Sequence, residues 1–500
     1  MVEWITQLNN TLNGIVWGWP ALILLAFVGV LTSCITKFFQ ISHLGHWMKH
    51  TIGAIFHDSE VTSHTKDRSI SQFQSLCTAL AATVGTGNIV GVAGAILVGG
   101  PGAVFWMWLI AFFGMMTNYS ENVLGIFYRR KNELGEWSGG AMYYLRDGLG
   151  AKKGCKTIGK VLAAAFSVFC FLASFGIGNM TQVNSISGNV YSVFGVPTWV
   201  TGIAIAILCG LVIVGGLKRI ATVTEKIVPF MVLIYMVGTL TILVKNFAMV
   251  PAVFAAIFKG AFALKAAGGG IVGYGIKLAI EQGMKRGVFS NEAGLGSSVM
   301  VHSNSNVREP VRQGMWGIFE VFADTMVVCT LTAFTVLSSG LVDLDTGAAV
   351  TEYAGVTLTK ANLVSTVFTM NFGWLGGAFV AVAIVLFAYS TVLGWSHYGS
   401  KACEYLFGAK ATRVYRIVFV LATFGGAVMG ENLAWDIADT LNGMMMIPNL
   451  IGVMVLSPMV YHITKNYVDR KIRGKSEEPV LSAFPDIQAE AEAAVLDGAE

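Results

Sequence analysis

An all-α integral membrane protein of about eleven transmembrane helices is the fold class this sequence predicts, and three observations predict it. Of its 500 residues, 54% are hydrophobic and only 12% charged, and the mean hydropathy of +0.65 lies far outside the range of soluble domains. Apolar stretches long enough to cross a hydrocarbon core of about 30 Å recur from near the start to about residue 463, which leaves no room for a large soluble domain. These runs are also too long and too uniformly apolar for the alternating strands of a membrane barrel, so helices must satisfy the backbone in lipid.

The spans are expected at about 16 to 36, 73 to 98, 101 to 128, 159 to 190, 198 to 215, 222 to 245, 270 to 304, 311 to 337, 374 to 398, 413 to 430 and 440 to 463. Glu3 and the absence of Lys or Arg ahead of the first span argue against a cleaved signal peptide, so that span is expected to be retained. Cationic residues then alternate between the two sides. Lys37, Lys49, Lys66 and Arg68 share one side with Arg129, Arg130, Lys131, Arg146, Lys152, Lys153 and Lys156. Lys218, Arg219, Arg308, Arg312, Lys401, Lys410, Arg413 and Arg416 fall on that side too, as does the run from Lys465 to Lys475. The opposite loops hold Lys245, Lys259, Lys265 and Lys360. The positive-inside rule therefore predicts a cytoplasmic carboxyl terminus and an outer amino terminus in the cell membrane, in keeping with an odd number of spans.

Beyond about residue 476 the chain becomes acidic and alanine-rich, with Glu477, Glu478, Asp486, Glu490, Glu492, Asp497 and Glu500. Too few apolar residues remain for a core of its own, and a partly disordered cytoplasmic extension is expected. Four divisions follow: 1–72, an extra helix and loop; 73–245 and 270–463, five spans each; and 464–500, the tail.

Two spans are interrupted. The second reads Leu80-Ala81-Ala82-Thr83-Val84-Gly85-Thr86-Gly87-Asn88-Ile89-Val90-Gly91. Each helical glycine costs about 1 kcal/mol relative to alanine, and a hydroxyl and an amide there are expensive against lipid, so the helix is expected to open. The seventh repeats the pattern with Gly287-Val288-Phe289-Ser290-Asn291-Glu292-Ala293-Gly294-Leu295-Gly296-Ser297-Ser298. The breaks lie five spans apart, so each opens a five-helix half, and an odd repeat inserts the two halves in opposite orientations. Broken helices at matching positions of inverted halves point to a substrate site at the midplane, where freed amides attract an anionic group and freed carbonyls a cation or an ammonium. A close helix crossing is the other reading of Gly87-x-x-x-Gly91. A dinucleotide site is excluded, because no strand precedes the glycines.

At these residues the chain resembles the alanine or glycine:cation symporter family. The likeness rests on Gly85 to Ala93, Gly99-Gly100-Pro101-Gly102, Phe105-Trp106-Met107-Trp108, Arg286 to Gly296, and Phe387-Ala388-Tyr389-Ser390-Thr391-Val392-Leu393-Gly394-Trp395. It covers nearly the whole chain apart from the tail. The resemblance implies a leucine-transporter-type fold, a 5+5 inverted repeat with one extra N-terminal helix, and sodium-coupled symport of alanine and glycine.

A zwitterionic amino acid needs donors at one end and acceptors at the other. Backbone amides around Gly85, Thr86 and Gly87, with the side-chain amide of Asn88, are the candidates for its carboxylate. Carbonyls near Phe289 and Asn291 are the candidates for its ammonium. Gln182, within the polar cluster Asn179, Thr181, Gln182 and Asn184 of span four, faces the substrate or else joins two helices. By resemblance, Ser390 and Thr391 with the carbonyls of Ala81, Val84 and Phe387 form a sodium site. Thr391 and Trp395 also stand as substrate contacts, and Trp395 and Phe289 as walls that leave space for a hydrogen or methyl side chain. The alternative for the hydroxyls is a bond back to their own helix, and for the rings plain packing.

No carboxylate lies within the first break, which favours sodium over a proton. Glu121, Glu281, Glu292 and Asp324 are intramembrane candidates for proton coupling; their structural alternatives are capping of opened helix ends and, for Glu281, pairing with Lys277 or Lys285. A carrier of another small solute and a channel are the competing functions. An enzyme is disfavoured, since the histidines sit in loops or at span ends; His46 and His50 have i, i+4 spacing but no companion glutamate. The scattered Cys34, Cys77, Cys155, Cys170, Cys209, Cys329 and Cys403 suggest neither disulfides nor zinc. No cofactor, nucleic-acid partner or obligate protein partner is expected; the lipid bilayer, the amino acid and sodium are.

Overall fold

The computed structural model describes residues 2–262, 272–429 and 431–496. Lys265, the start of the expected seventh span, and Asp497 and Glu500 of the tail lie outside the described residues. Helices α1 (Val2–Val16) and α2 (Trp19–Ile35) open the chain, joined at Trp17-Gly18. The second span is α3 (Gln72–Thr83) followed by α4 (Val90–Gly99). Ser71 starts α3 through a capping box with Gln74, each side chain accepting the other residue's backbone N–H at 3.2 Å. Helix α5 (Gly102–Phe127) is central, packing against α2 and several elements of the second half. Helices α6 (Lys156–Phe175) and α7 (Thr181–Phe194) make one span through a π-helical turn at Gly176–Met180. Helices α8 (Thr198–Ile213) and α9 (Gly216–Lys245) complete the first half.

Helix α10 (Val250–Phe262), where the sequence suggested only a loop, packs on α5. The second half comprises α11 (Val272–Asn291), the short α12 (Val299–His302), α13 (Pro310–Val321) and α14 (Thr330–Leu337). It continues with α15 (Leu363–Phe372), α16 (Trp374–Phe407), α17 (Thr412–Val428) and α18 (Glu431–Tyr467). Two short antiparallel hairpins, Arg130–Lys131 with Trp137–Ser138 and Glu352–Tyr353 with Val356–Thr357, lie in loops.

Eight helices among the described residues are long and apolar enough to span a membrane, or nine if the bent pair of the second span counts as one. That is short of eleven, because α8 has 16 residues and α11 carries Lys277, Glu281, Lys285 and Arg286. Leu211, Phe230, Leu233, Val237 and Leu421 are exposed, whereas Asn118, Glu121, Asn122, His302, Glu320 and Asp324 are wholly buried. An apolar exterior around a polar centre is what lipid solvent selects.

The expected partly disordered tail is corrected by a helix, α19 (Pro485–Leu496), held against the rest of the chain. Ala483 N donates to Phe127 O at 2.9 Å, Lys131 Nζ pairs with Glu490 at 3.1 Å, and the Arg130 guanidinium stacks 4.4 Å from the Phe484 ring. A segment too polar for its own core thus borrows one, burying Leu481.

Candidate functional site

Helix α3 stops because Val84 leaves helical geometry at φ −78°, ψ 86°. Gly85 N, which an unbroken helix would give to the Ala81 carbonyl, donates to Asn88 Oδ1 at 2.9 Å. Thr86 N and Thr86 Oγ1 both donate to Gln182 Oε1, at 3.4 and 2.9 Å, and Asn88 N turns to Gly85 O at 3.3 Å rather than to Val84 O. The carbonyls of Ala81, Ala82 and Val84 thereby lose their places in the helical ladder. A 3-10 turn at Thr86–Asn88 follows, and the chain resumes as α4 with a bend of 58°.

The second break begins after Asn291. Glu292, Gly294 and Gly296 take positive φ of 57°, 92° and 70°, which interrupts the helix before α12. Ala293 N, due to the Phe289 carbonyl in a continued helix, donates to Asn291 Oδ1 at 3.0 Å, and Asn291 Nδ2 donates to Thr325 Oγ1 at 3.0 Å. Leu295 N reaches Glu292 O instead of Asn291 O.

The fold brings the two breaks together. A Cβ added to Gly87 would stand 3.3 Å from Phe289 Cδ1 and 3.5 Å from Ser290 Cα. One added to Gly85 would collide with Thr391 Oγ1 and approach Gln182 Oε1 at 3.4 Å, so Gly85, Gln182 and Thr391 meet at one point. Ser390 Oγ and Thr391 Oγ1 both donate to Phe387 O, at 2.8 and 3.0 Å: the hydroxyls bond back to their own helix. Helix α16 nevertheless touches the open end of α3, where Gly394 leaves room for Ala82, whose N would be 2.9 Å from an added Cβ. Ala81, Val84, Phe387, Ser390 and Thr391 therefore sit where two elements cross. Trp395 lies against Gly178 of the π-helical turn and Tyr398, 5.3 Å between ring centres, at 1% exposure. Gln182 also donates from Nε2 to Ile177 O at 3.0 Å, within its own span, so it is its oxygen that reaches across to the first break.

Asn88 is committed within the protein: besides serving Gly85 N, it donates from Nδ2 to Asp324 Oδ1 at 2.6 Å. Asp324 also accepts from Ser290 Oγ at 2.9 Å and from Thr325 Oγ1 at 2.8 Å. It rides on a π-helical stretch, Phe322–Cys329, between α13 and α14. One carboxylate thus ties both broken helices together. Sequence reasoning named Asp324 but could not attach it to the breaks; the available signal was an acidic residue in an apolar span. The other carboxylates differ. Glu281 pairs with Lys277 at 3.7 Å, and Glu292 accepts from Ser297 Oγ at 2.5 Å. Asn449 Nδ2 donates both to Glu121 Oε1 at 2.5 Å and to Gly294 O at 2.9 Å.

Beside the site, Lys285 Nζ and Arg286 Nη2 contact Asp439 Oδ2 of α18 at 2.8 and 3.1 Å, and the Arg286 guanidinium stands 5.4 Å from the Phe289 ring.

Comparison with known proteins adds three findings. Residues 2–482 match the model of the sodium:alanine symporter family. The sodium/alanine symporter AgcS of Methanococcus maripaludis is 45% identical, covering 92% of this chain and 97% of its own; the amino-acid carrier protein AlsT of Bacillus subtilis is 36% identical, covering 83% and 84%. Among solved structures, MhsT in complex with L-phenylalanine superposes with a TM-score of 0.49 at 12% identity, over 80% of this chain and 99% of that one.

Proposed function

Because the chain belongs to the sodium:alanine symporter family, a family of multi-pass membrane transporters, we propose that it imports alanine and glycine across the cell membrane, driven by sodium. The observation that carries this reading is the meeting of two helix breaks, Gly87 against Phe289 and Ser290, with backbone groups turned out of both ladders.

In this reading the substrate carboxylate takes the amides of Gly85 and Thr86, which exchange their partners Asn88 Oδ1 and Gln182 Oε1 for it, together with the amide of Gly87. The ammonium takes carbonyls at Phe289 and Asn291. Phe289, Thr391 and Trp395 close the pocket to a side chain larger than methyl. Sodium takes the Ala81, Val84 and Phe387 carbonyls with the Ser390 and Thr391 hydroxyls, a neutral set of hard oxygens suited to an alkali ion. Asn88 and Asp324 hold the breaks in register. The two five-span halves, 73–245 and 270–463, rock against each other in an inverted repeat of the leucine-transporter type, with the amino terminus outside and the carboxyl terminus in the cytoplasm. AgcS, named as a sodium/alanine symporter, supports the choice of ion and solute.

The driving force suffices. One cation entering through 100 mV supplies about 2.3 kcal/mol, and a tenfold gradient adds about 1.4 kcal/mol, enough for a substrate gradient of a few hundredfold.

The test is radiolabelled alanine uptake into proteoliposomes under an imposed sodium or proton gradient, with glycine, alanine, leucine and uracil as competitors. Concentrative uptake on a sodium gradient, blocked by glycine and alanine and indifferent to leucine and uracil, is expected. Uptake that ignores a collapsed sodium gradient and follows the proton gradient would overturn sodium coupling; competition by leucine or uracil would overturn the size limit.

A further inference from the structure

Between the first span and the first broken helix lies a run whose chemistry the proposed transport site does not use. From Lys37 to His57 the sequence holds two lysines and four histidines, and no Asp or Glu. Lys37 and Phe38 take left-handed backbone angles, φ 56° and 52°, which are costly for residues with a side chain, and they turn the chain out of α2. Helical backbone then runs from Phe39 to His57, broken only at His43 and with a π-helical turn at Lys49–Gly53.

One face of this run is fixed to the bundle. The Phe39 ring stacks on Tyr119 of α5 at 5.4 Å between centres, and the Trp47 ring meets Phe322 edge-on at 6.3 Å. His46 Nε2 stands 3.1 Å from the Tyr467 hydroxyl of α18. Asp58, which follows the run, faces Arg312 of α13 at 3.6 Å.

The opposite face is apolar and uncovered. Ile41 is 58% exposed, Leu44 51% and Phe56 76%. At about 100° per residue, Leu44, Met48, Ile41 and Gly45 fall within about 100° of the helix circumference, and Lys49 stands at the border of that stripe. A helix with an apolar stripe on one side and cations at its edge is built to lie in a membrane interface. The surface beside it is already turned to lipid: Ile23, Phe27 and Val30 of α2 are exposed, as is Cys34, at helical spacing that leads down the span to Lys37.

The two lysines select the kind of lipid. Both are exposed, and among the described residues neither enters an ion pair. A lysine at the edge of an acyl-facing stripe stands at the depth of headgroup phosphates, and with no acid in the run its charge is complementary to an anionic headgroup. Twelve positions separate Lys37 from Lys49, about 18 Å of helix, so each meets a headgroup of its own.

We propose that the run Phe39–His57 is a docking surface for anionic phospholipid. Ile41, Leu44 and Phe56 enter the acyl region, while Lys37 and Lys49 each take a lipid phosphate. The inference rests on the chain being a membrane protein, and on neither the solute nor the driving ion. Each lysine is expected to enrich anionic over zwitterionic lipid beside it by about fivefold.

The experiment places a fluorophore at S42C, an exposed position one turn from the stripe's centre, in the full-length protein carrying C34S and C155S, the other cysteines being buried. The protein is reconstituted in vesicles of phosphatidylglycerol and phosphatidylcholine in equal amounts, with brominated acyl chains on one lipid or the other. Stronger quenching by brominated phosphatidylglycerol is expected, weakened by about 1 M salt, lost in K37Q/K49Q and retained in K37R/K49R. Equal quenching by the two lipids, or a preference unchanged in K37Q/K49Q or lost in K37R/K49R, overturns the proposal. So does quenching by neither lipid, the result of a stripe that faces water or is covered by a second copy of the chain. None of these readouts involves uptake, so the proposal and the transport reading stand or fall separately.

Discussion

At Gly85 the decisive quantity is space. Thr391 Oγ1 occupies the position a side chain would need, so Gly85→Ala must push α16 away from the first break. Loss of alanine uptake by at least about tenfold is expected, a displacement of the kind that costs 1–3 kcal/mol in a packed core. Gly87→Ala meets a Phe289 ring edge at 3.3 Å and Ser290 Cα at an ordinary contact distance of 3.5 Å, and a milder effect is expected in the same assay. Asp324 makes a second residue-level prediction. Asp324→Ala removes the carboxylate that accepts from Asn88 Nδ2, Ser290 Oγ and Thr325 Oγ1 and leaves Asn88 and Ser290 the weak Cys329 Sγ acceptor at 3.4 and 3.2 Å, at a cost of about 1–3 kcal/mol. A lowered Tm in detergent and loss of uptake follow; Asp324→Asn, which keeps an acceptor oxygen, is expected to recover much of the Tm. Equal Tm values for the two variants would count against Asp324 as the tie between the breaks. These residue types were legible in the sequence as glycines and polar groups in apolar spans. Their pairing was not, since Gly85 and Thr391, or Asn88 and Asp324, meet only across the folded bundle.

At the scale of elements, the second break depends on backbone conformation more than on side-chain chemistry. Gly294 sits at φ +92° with Leu25 Cδ1 2.8 Å from where a Cβ would be. Gly294→Ala combines a left-handed penalty of about 1–2 kcal/mol with a steric one, and thermal unfolding should show a Tm several degrees lower. The break itself was readable from Gly294, Gly296 and the polar run beside them. That Glu292 also adopts a positive φ was not, because a non-glycine residue there is held by its surroundings. The hydroxyls of Ser390 and Thr391 make a similar point. Their clustering near Phe387 follows from helical spacing, whereas their turn toward the Phe387 carbonyl is a matter of rotamer and neighbouring packing.

For the molecule as a whole, the contacts between halves show a regularity. Helix α5 packs on α13, α6 on α16 and α8 on α17, each pairing corresponding elements, while α9 on α16 mirrors α18 on α6. We take this as support for the inverted repeat. One further tie spans the assembly: Asp439 faces both Lys285 and Arg286 while it is itself 3% exposed. Asp439→Asn removes the carboxylate that both cations contact, and destabilisation of about 3–5 kcal/mol is expected, as for a broken buried ion pair; chemical denaturation in detergent measures it. Removing residues after 476 should by contrast leave uptake intact and speed proteolysis at the Arg130–Ser138 hairpin that α19 covers.

The sequence by itself determined the solvent and the element type, because lipid admits only self-satisfied helices and 54% hydrophobic residues announce lipid. It also determined where two of those helices fail, since glycine and polar residues act locally on the backbone. Only the tertiary structure decided which buried acid serves which partner. Asp324 reached both breaks and Glu320 reached His302 because helices distant in sequence cross there, and the strength of a buried charge's interactions depends on neighbours that no local pattern records. The tail's fate was decided in the same way: its own composition offers no core, and the surface formed by Phe127 and the Arg130 hairpin supplies one.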